Sequence, residues 1–94
     1  MDWEKSIKGF KSYLKIERSL SENTVDSYLR DIQKLANFAK EINVSEIEIT
    51  KENIKDFITF INKEGISARS QSRIISGIKA FYKYLILEDY IKID

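Results

Sequence analysis

The chain has 94 residues and a net charge of +1, and its 43% hydrophobic and 33% charged residues are typical of one small globular domain. It contains no cysteine and no histidine, which excludes disulfide scaffolds and thiolate metal sites and removes the commonest general base. No apolar run approaches the roughly 20 residues that cross a bilayer, and the N-terminus lacks the apolar core of a signal peptide.

Four long helices are predicted across residues 1–94, because the chain has no proline and only three glycines to interrupt them. We therefore expect one all-α domain with a compact four-helix, bundle-like core, located in the cytoplasm and holding no metal ion or cofactor. The first helix is predicted over residues 2–17, where apolar residues recur at the spacing of a core stripe. These residues are Trp3, Ile7, Phe10 and Leu14.

The second helix is predicted over residues 22–41, with Ser21 as its N-cap and the acid of Glu22 at its positive end. Its apolar face consists of Val25, Tyr28, Leu29, Ile32, Leu35, Ala36 and Ala39. Its polar face consists of Asn23, Ser27, Arg30, Lys34 and Asn37. This separation predicts one face in the core and one face in solvent.

Residues 43–49 are predicted to connect the second helix to the third. Three of them are apolar and are expected to lie under the core: Val44, Ile47 and Ile49. Two others are acids, Glu46 and Glu48. Since they lie in an acidic connector with no catalytic partner in the sequence, we expect both to be solvated surface carboxylates.

The third helix is predicted over residues 51–63, where apolar residues again recur at helical spacing between two boundary signals. Thr50 is a suitable N-cap, and Gly65 is a natural left-handed terminator. The residues expected to point inward are Ile54, Phe57, Ile58 and Ile61.

The fourth helix, SARSQSRIISGIKAFYKYLIL from Ser67 to Leu87, divides into two arcs, with Ser67 or Ser70 as its N-cap. The apolar arc, expected to join the core, contains Ile74, Ile75, Ile78, Phe81, Tyr82, Leu85 and Ile86. The opposite arc contains Arg69, Ser72, Arg73, Ser76, Lys79, Ala80 and Lys83. Because residues 66–87 carry four cations and no acid, this helix can dock on a core and also face a polyanion.

The small net charge conceals an uneven distribution along the chain. Residues 1–40 carry a net +2, residues 41–65 carry −3, and residues 66–94 carry +2. A polyanion would therefore meet the two outer thirds and not the middle. The alternative is that these charges form only a solvated surface, as most surface charges do.

The fourth helix favours nucleic-acid binding. The guanidinium groups of Arg69 and Arg73 match phosphate and guanine edges, and the ammonium groups of Lys79 and Lys83 match phosphate. Small residues on this helix would let its backbone approach a groove: Ser70, Ser72, Ser76 and Ala80. Tyr82 and Tyr84 are candidates to stack on bases, although Tyr82 lies on the apolar arc and is expected to pack in the core. Replacing both arginines with alanine is expected to weaken DNA binding and leave the helical fold intact.

The second helix repeats this design more weakly. Three polar residues lie near its N-terminus, where free backbone N–H groups favour phosphate: Asn23, Thr24 and Ser27. Two cations follow them, Arg30 and Lys34. The alternative function is a helical protein-interaction module whose basic stripe meets an acidic partner; a membrane-surface helix has a similar pattern. A free-standing enzyme is disfavoured, because no catalytic set of side chains can be assembled.

Two stretches of the sequence resemble a known family. Residues 20–32, LSENTVDSYLRDI, are similar to a pattern of ENT, then tyrosine, then Arg-Asp-Leu/Ile on a second helix. Residues 67–85 are similar to a Ser/Thr-rich entry, an arginine, paired aliphatic residues, a basic residue and an aromatic-rich FYKYL. Both patterns belong to the N-terminal core-binding, SAM-like domain of tyrosine recombinases, the Xer-type and phage-integrase proteins, and the resemblance covers nearly the whole chain.

The resemblance implies a domain that clamps one face of a recombination half-site through its second and fourth helices. Its partners would be double-stranded DNA and other recombinase protomers in a synaptic complex, and the isolated domain would be monomeric. The family's catalytic residues lie in a separate C-terminal domain. We therefore expect this chain, which ends at Asp94, to be a fragment without catalytic residues.

The resemblance also implies the residues of the DNA face. These are Asn23, Thr24, Tyr28, Arg30, Ser67, Arg69, Ser70, Gln71, Arg73 and Lys79. The polar helix faces add Lys34, Ser76 and Lys83 to the predicted DNA-binding set. Tyr28 lies on an apolar arc and Gln71 lies near one, so packing in the domain is the alternative role of both. For Asn23 and Thr24 the alternative is a role only at the start of the helix.

Overall fold

Four α-helices and no strand form residues 2–91, the part of the chain that this computed structural model describes. The helices are α1 (Trp3–Ile16), α2 (Glu22–Glu41), α3 (Lys51–Lys63) and α4 (Ala68–Leu87). The predicted all-α class is confirmed, and each helix begins and ends within one residue of its predicted bounds. Over these residues, no helix is long and apolar enough to cross a membrane, and no cluster of acidic side chains could hold a metal ion.

Each helix begins at a side-chain cap. Four side chains accept a hydrogen bond from the backbone N–H three residues further on, over 2.8–3.3 Å: Asp2, Ser21, Thr50 and Ser67. Each bond satisfies a backbone donor that helix geometry leaves free, and the fourth cap is Ser67 rather than Ser70. After α3 the chain turns at Gly65, whose φ of 84° is a left-handed conformation that glycine adopts at little cost.

α2 and α4 pack against each other at the centre of the fold, and each of them also contacts α1 and α3. The buried core consists of Trp3, Phe10, Leu14, Val25, Ile32, Leu35, Ala36, Ala39, Phe57, Ile61, Ile74, Ile78, Phe81, Tyr84 and Leu85. On the α1 side it is largely aromatic, and the rings of Phe10 and Phe81 meet edge-on with centroids 5.3 Å apart. Because both central helices are packed from behind, their polar faces are held in a fixed relation.

Tyr84 belongs to this core, which corrects the expectation that it is available to stack on bases. Its side chain is 5% exposed, and its ring centroid lies 5.8 Å from that of Phe10. The hydroxyl lies directly against Gly9 of α1, where any side chain would collide with it. The apolar arc of α4 is therefore wider than its periodicity suggests, because a glycine on a neighbouring helix leaves room for a tyrosine.

The connector between α2 and α3 corrects two further predictions. Val44 and Ile49 pack against the core as predicted, but Ile47 is exposed. Glu48 is exposed as predicted, whereas Glu46, predicted to be a surface carboxylate, has an exposed fraction of 0%. The prediction that Glu46 is solvated is therefore wrong, because the fold buries its side chain.

Three hydrogen bonds draw the connector inward and explain the burial of Glu46. The indole Nε1 of Trp3 donates to the carbonyl oxygen of Val44 over 3.0 Å. The Ser6 hydroxyl donates to Oε2 of Glu46 over 2.6 Å, and the Tyr82 hydroxyl donates to the Glu46 carbonyl oxygen over 2.8 Å. All three donors lie on helices distant in sequence, so local periodicity does not reveal these contacts.

Candidate nucleic-acid interface

The outward face of α4 carries a row of cations that face solvent. Arg69, Lys79 and Lys83 are exposed, and none of them forms an ion pair with any residue in the described range. Ser76 is exposed between them, so the surface between the cations is low enough for close approach. The polar arc predicted for α4 is therefore a real surface of the domain.

The polar face of α2 supplies the second half of this surface. Asn23, Thr24, Arg30 and Lys34 are exposed, and Nη2 of Arg30 contacts the Ser27 hydroxyl over 3.4 Å. The first two lie in the opening turn of the helix, where backbone N–H groups and the helix dipole favour an anion. Since α2 and α4 pack side by side, these groups and the α4 cations belong to one pair of adjacent helices.

An ion pair joins the two helices beneath this surface. Nε of Arg73 on α4 donates to Oδ2 of Asp31 on α2, and Nη2 donates to Oδ1, both over 3.0 Å. The Asp31 side chain is 1% exposed and the Arg73 side chain is 48% exposed, so the pair extends from the core to the surface. The hydrogen bond and the negative charge of Asp31 raise the pKa of Arg73 above its usual value.

The two helices also approach closely one turn beyond this pair. A Cβ added to Gly77 would lie 3.2 Å from Cδ1 of Tyr28 and 3.7 Å from Cβ of Asp31. Tyr28 is half-buried, and its ring meets that of Phe10 edge-on at 6.3 Å. Tyr28 is thus packed on two sides, which supports the packing role that its place on the apolar arc indicated.

The predicted residues at the start of α4 are engaged within the domain. Ser67 caps the helix, and Ser70 is half-buried. Nε2 of Gln71 donates to the carbonyl oxygen of Ile66 over 2.8 Å and to Oδ1 of Asn62 over 3.1 Å. The Gln71 side chain therefore closes the turn between α3 and α4, in agreement with its position near the core arc.

Asp31 is the residue of this surface that the sequence prediction did not include. A signal for it exists, because Asp31 stands three residues after Tyr28 and four before Leu35, at the spacing of the apolar face of α2. An acid at such a position needs a buried partner, since an isolated buried charge is too costly. Its partner, Arg73, is 42 residues away and cannot be identified from spacing alone.

Comparison with known proteins adds evidence independent of this geometry. Residues 7–89 match the family described as phage integrase, N-terminal SAM-like domain. The chain is 40% identical over 84 residues to the tyrosine recombinase XerD of Rickettsia conorii, which covers 89% of this chain and 28% of that protein.

Two other relatives give the same result. The chain is 36% identical over 86 residues to the XerD of Chlorobaculum tepidum, with 92% of this chain and 28% of that protein covered. It is 34% identical over 88 residues to the tyrosine recombinase XerC of Leptospira interrogans, with 93% and 28% covered. No solved structure matches the chain. The chain thus spans less than a third of the length of these relatives.

Proposed function

This chain belongs to the family of phage integrase N-terminal SAM-like domains, as part of an Xer-type tyrosine recombinase, and on that premise we propose that it binds double-stranded DNA through α2 and α4. In this role it supplies affinity and orientation at a recombination half-site, in company with other recombinase protomers. Strand cleavage and rejoining are the work of residues outside this chain. The proposal implies a cytoplasmic location and a monomeric isolated domain.

The observation that carries the proposal is the cation surface on α4 and α2. Six exposed cations contribute to it: Arg30, Lys34, Arg69, Arg73, Lys79 and Lys83. No acid occurs anywhere in residues 66–87, whereas residues 41–65, which include α3, carry a net −3. A polyanion is therefore attracted most strongly to α4, because α3 carries three cations against two acids and the segments that flank α3 carry the excess of acids.

The strength of binding follows from the number of cations. About six phosphate contacts predict a slope near −5 when the logarithm of the binding constant is plotted against the logarithm of salt concentration. Binding without sequence preference is expected at a Kd of about 10⁻⁴ to 10⁻⁶ M at physiological salt, because few cations contribute.

A charge-matched pair of variants tests the surface by titration of a fluorescent duplex over a salt series. Arg69→Ala with Lys79→Ala removes two cations from α4 and is expected to make the slope shallower by about 2. Lys55→Ala with Lys63→Ala removes the same charge from α3 and is expected to leave the slope within about 0.5 of the unsubstituted value.

Equal losses in the two double variants would reject the assignment to α2 and α4 and indicate a response to net charge alone. A chain that binds no duplex at low salt would reject DNA binding and favour the protein-interaction alternative. As a second measurement, duplex addition should shift the amide signals of residues 22–40 and 68–87. Shifts centred on residues 41–64 would contradict the proposal.

A further inference from the structure

We propose that Asp31 is a positioning residue, which holds the Arg73 guanidinium at one place between α2 and α4 so that its free edge contacts a DNA phosphate. This inference rests on the proposed function and deepens it. It distinguishes one anchored cation, Arg73, from the other cations of the basic surface. Neither the charge pattern nor the family resemblance makes this distinction.

The argument begins with the hydrogen-bonding capacity of the guanidinium group. Arginine has five N–H donors in a planar fork, and Arg73 uses Nε and Nη2 to hold the two oxygens of Asp31. Both N–H groups of Nη1 and one of Nη2 remain on the end of the fork. That end has the two-point geometry that matches phosphate oxygens.

The exposure of the two side chains shows which way the pair is oriented. The Asp31 side chain is 1% exposed and the Arg73 side chain is 48% exposed, so the carboxylate is the buried anchor and the guanidinium is the part that solvent reaches. A ligand in solution can therefore meet Arg73 without displacing Asp31.

The anchor itself cannot move easily. Asp31 lies on the buried side of α2, and the close approach of Gly77 to Tyr28 keeps α4 against α2 one turn further on. The exposed cations Arg69, Lys79 and Lys83 have no such ion pair within the described part of the chain. Arg73 thus differs from them, because its hydrogen bonds to Asp31 fix the conformation of its side chain before any ligand binds.

A fixed cation gains affinity because it loses less conformational freedom on binding. Without its anchor, Arg73 must be ordered by DNA like any long surface side chain, and we expect binding to weaken about 3- to 10-fold. Charge alone predicts the opposite sign, because removing an acid from the domain should strengthen its binding to a polyanion. The two explanations therefore disagree on the direction of one measurement.

The experiment compares Asp31→Asn with Asp26→Asn by duplex titration over a salt series. Both substitutions remove one negative charge from α2, but Asp26 is exposed and forms no hydrogen bond or ion pair with Arg73, whose partner is Asp31. We expect Asp31→Asn to bind about 3- to 10-fold more weakly with an unchanged salt slope. Asp26→Asn should bind as tightly as the unsubstituted chain or slightly more tightly. Asp31→Asn binding at least as tightly as Asp26→Asn would overturn the inference.

A double-substitution cycle shows whether Asp31 acts through Arg73. Arg73→Ala should weaken binding and make the slope shallower by about 0.9, the loss of one phosphate contact. In that background, adding Asp31→Asn should change the affinity less than twofold. An equal further loss would mean that Asp31 supports the fold generally, which rejects a positioning role.

Thermal unfolding followed by circular dichroism accompanies every titration, so that only folded variants are compared. If Asp31→Asn or Arg73→Ala does not fold, Arg73→Lys decides, because it keeps the charge and loses the two-point pairing. It should bind about 3- to 10-fold more weakly with an unchanged slope, and full affinity would overturn the inference. Absence of salt-dependent binding in the unsubstituted chain would instead reject the proposed function itself.

Discussion

Two buried carboxylates, Asp31 and Glu46, have opposite surroundings in the same small core. Asp31 accepts two hydrogen bonds from the charged Arg73, which reaches the surface between α2 and α4. Glu46 accepts one hydrogen bond from the neutral Ser6, and its Oε1 has no partner among the described residues. Asp31 is thus half of an ion pair between α2 and α4, whereas Glu46 in the connector is held by a hydrogen bond from an uncharged hydroxyl.

The difference shows how each region is stabilised. A buried ion pair adds little net stability over an apolar contact, but it strongly favours one arrangement of its partners, since a lone buried charge is very unfavourable. A carboxylate held by one hydroxyl has a weaker preference, because the hydrogen bond offsets only part of its desolvation. We therefore expect the α2–α4 contact to be the more sensitive of the two to loss of a partner.

The largest effect is expected at the ion pair. Arg73→Ala leaves the Asp31 carboxylate buried without its partner and should lower the free energy of unfolding by about 2–4 kcal/mol. Arg69→Ala, one turn away and exposed, is the control and should change it by less than about 0.5 kcal/mol. Urea denaturation measures both. Equal midpoints for the two variants would contradict this role of the ion pair.

A smaller effect is expected in the connector. Ser6→Ala removes the one donor to Glu46 and should lower the free energy of unfolding by about 1–3 kcal/mol. Ser12→Ala, on the exposed side of α1, is the control and should be nearly silent. Adding Glu46→Met to Ser6→Ala should recover most of the loss, because both polar groups are then gone. A double variant less stable than Ser6→Ala would show that the carboxylate has another role.

The connector side should also respond to alkaline pH. Burial first, and then the charge of Glu46, raises the pKa of Tyr82 above its usual value, and burial raises the pKa of Tyr84 to about 12. Tyrosines in the unfolded chain release their protons near pH 10, so above that pH the folded state holds more protons than the unfolded state. Stability is therefore fully present below about pH 10 and falls as the pH rises toward 12.

Thermal melts between about pH 8 and 12 measure this decline. Tyr82→Phe should flatten it and, at neutral pH, should cost about 1 kcal/mol for the lost hydrogen bond to the Glu46 carbonyl oxygen. Tyr13→Phe is the control, because the Tyr13 hydroxyl makes no hydrogen bond within the described residues. The ion pair should not contribute, since the pKa of Arg73 is raised and its charge persists. A melting temperature that stays constant to about pH 12 would contradict the role of burial.

Much of this fold was predictable because its signals are local. Caps at Ser21 and Thr50 precede apolar residues at helical spacing, and Gly65 ends α3 at the position where a left-handed residue was predicted. The exposed cations of the candidate interface were predictable for the same reason, since a helix separates its faces by periodicity alone. Whether those cations bind DNA stays a prediction.

The errors concern residues whose partners are distant in the chain. Glu46 was predicted to be solvated because it lies in an acidic connector with no catalytic partner in the sequence, yet Ser6, 40 positions earlier, donates to it in the interior. Tyr84 was predicted to be available to stack on bases, yet Gly9 of α1 leaves space for it in the core. Neither partner is marked by any pattern in its own helix.

The four helices, most of their buried faces, the cation row on α4 and the family all follow from the order of the residues. Hydrogen bonds within a helix join residues four positions apart, and apolar residues on one face recur every three or four positions. Both can therefore be read from neighbouring residues in the sequence. The ion pair between Arg73 and Asp31 and the burial of Glu46 arise from the packing of the helices against one another. These contacts depend on which helices pack together, because a buried charge needs a hydrogen-bonding partner and the packing determines which residue is close enough to be that partner.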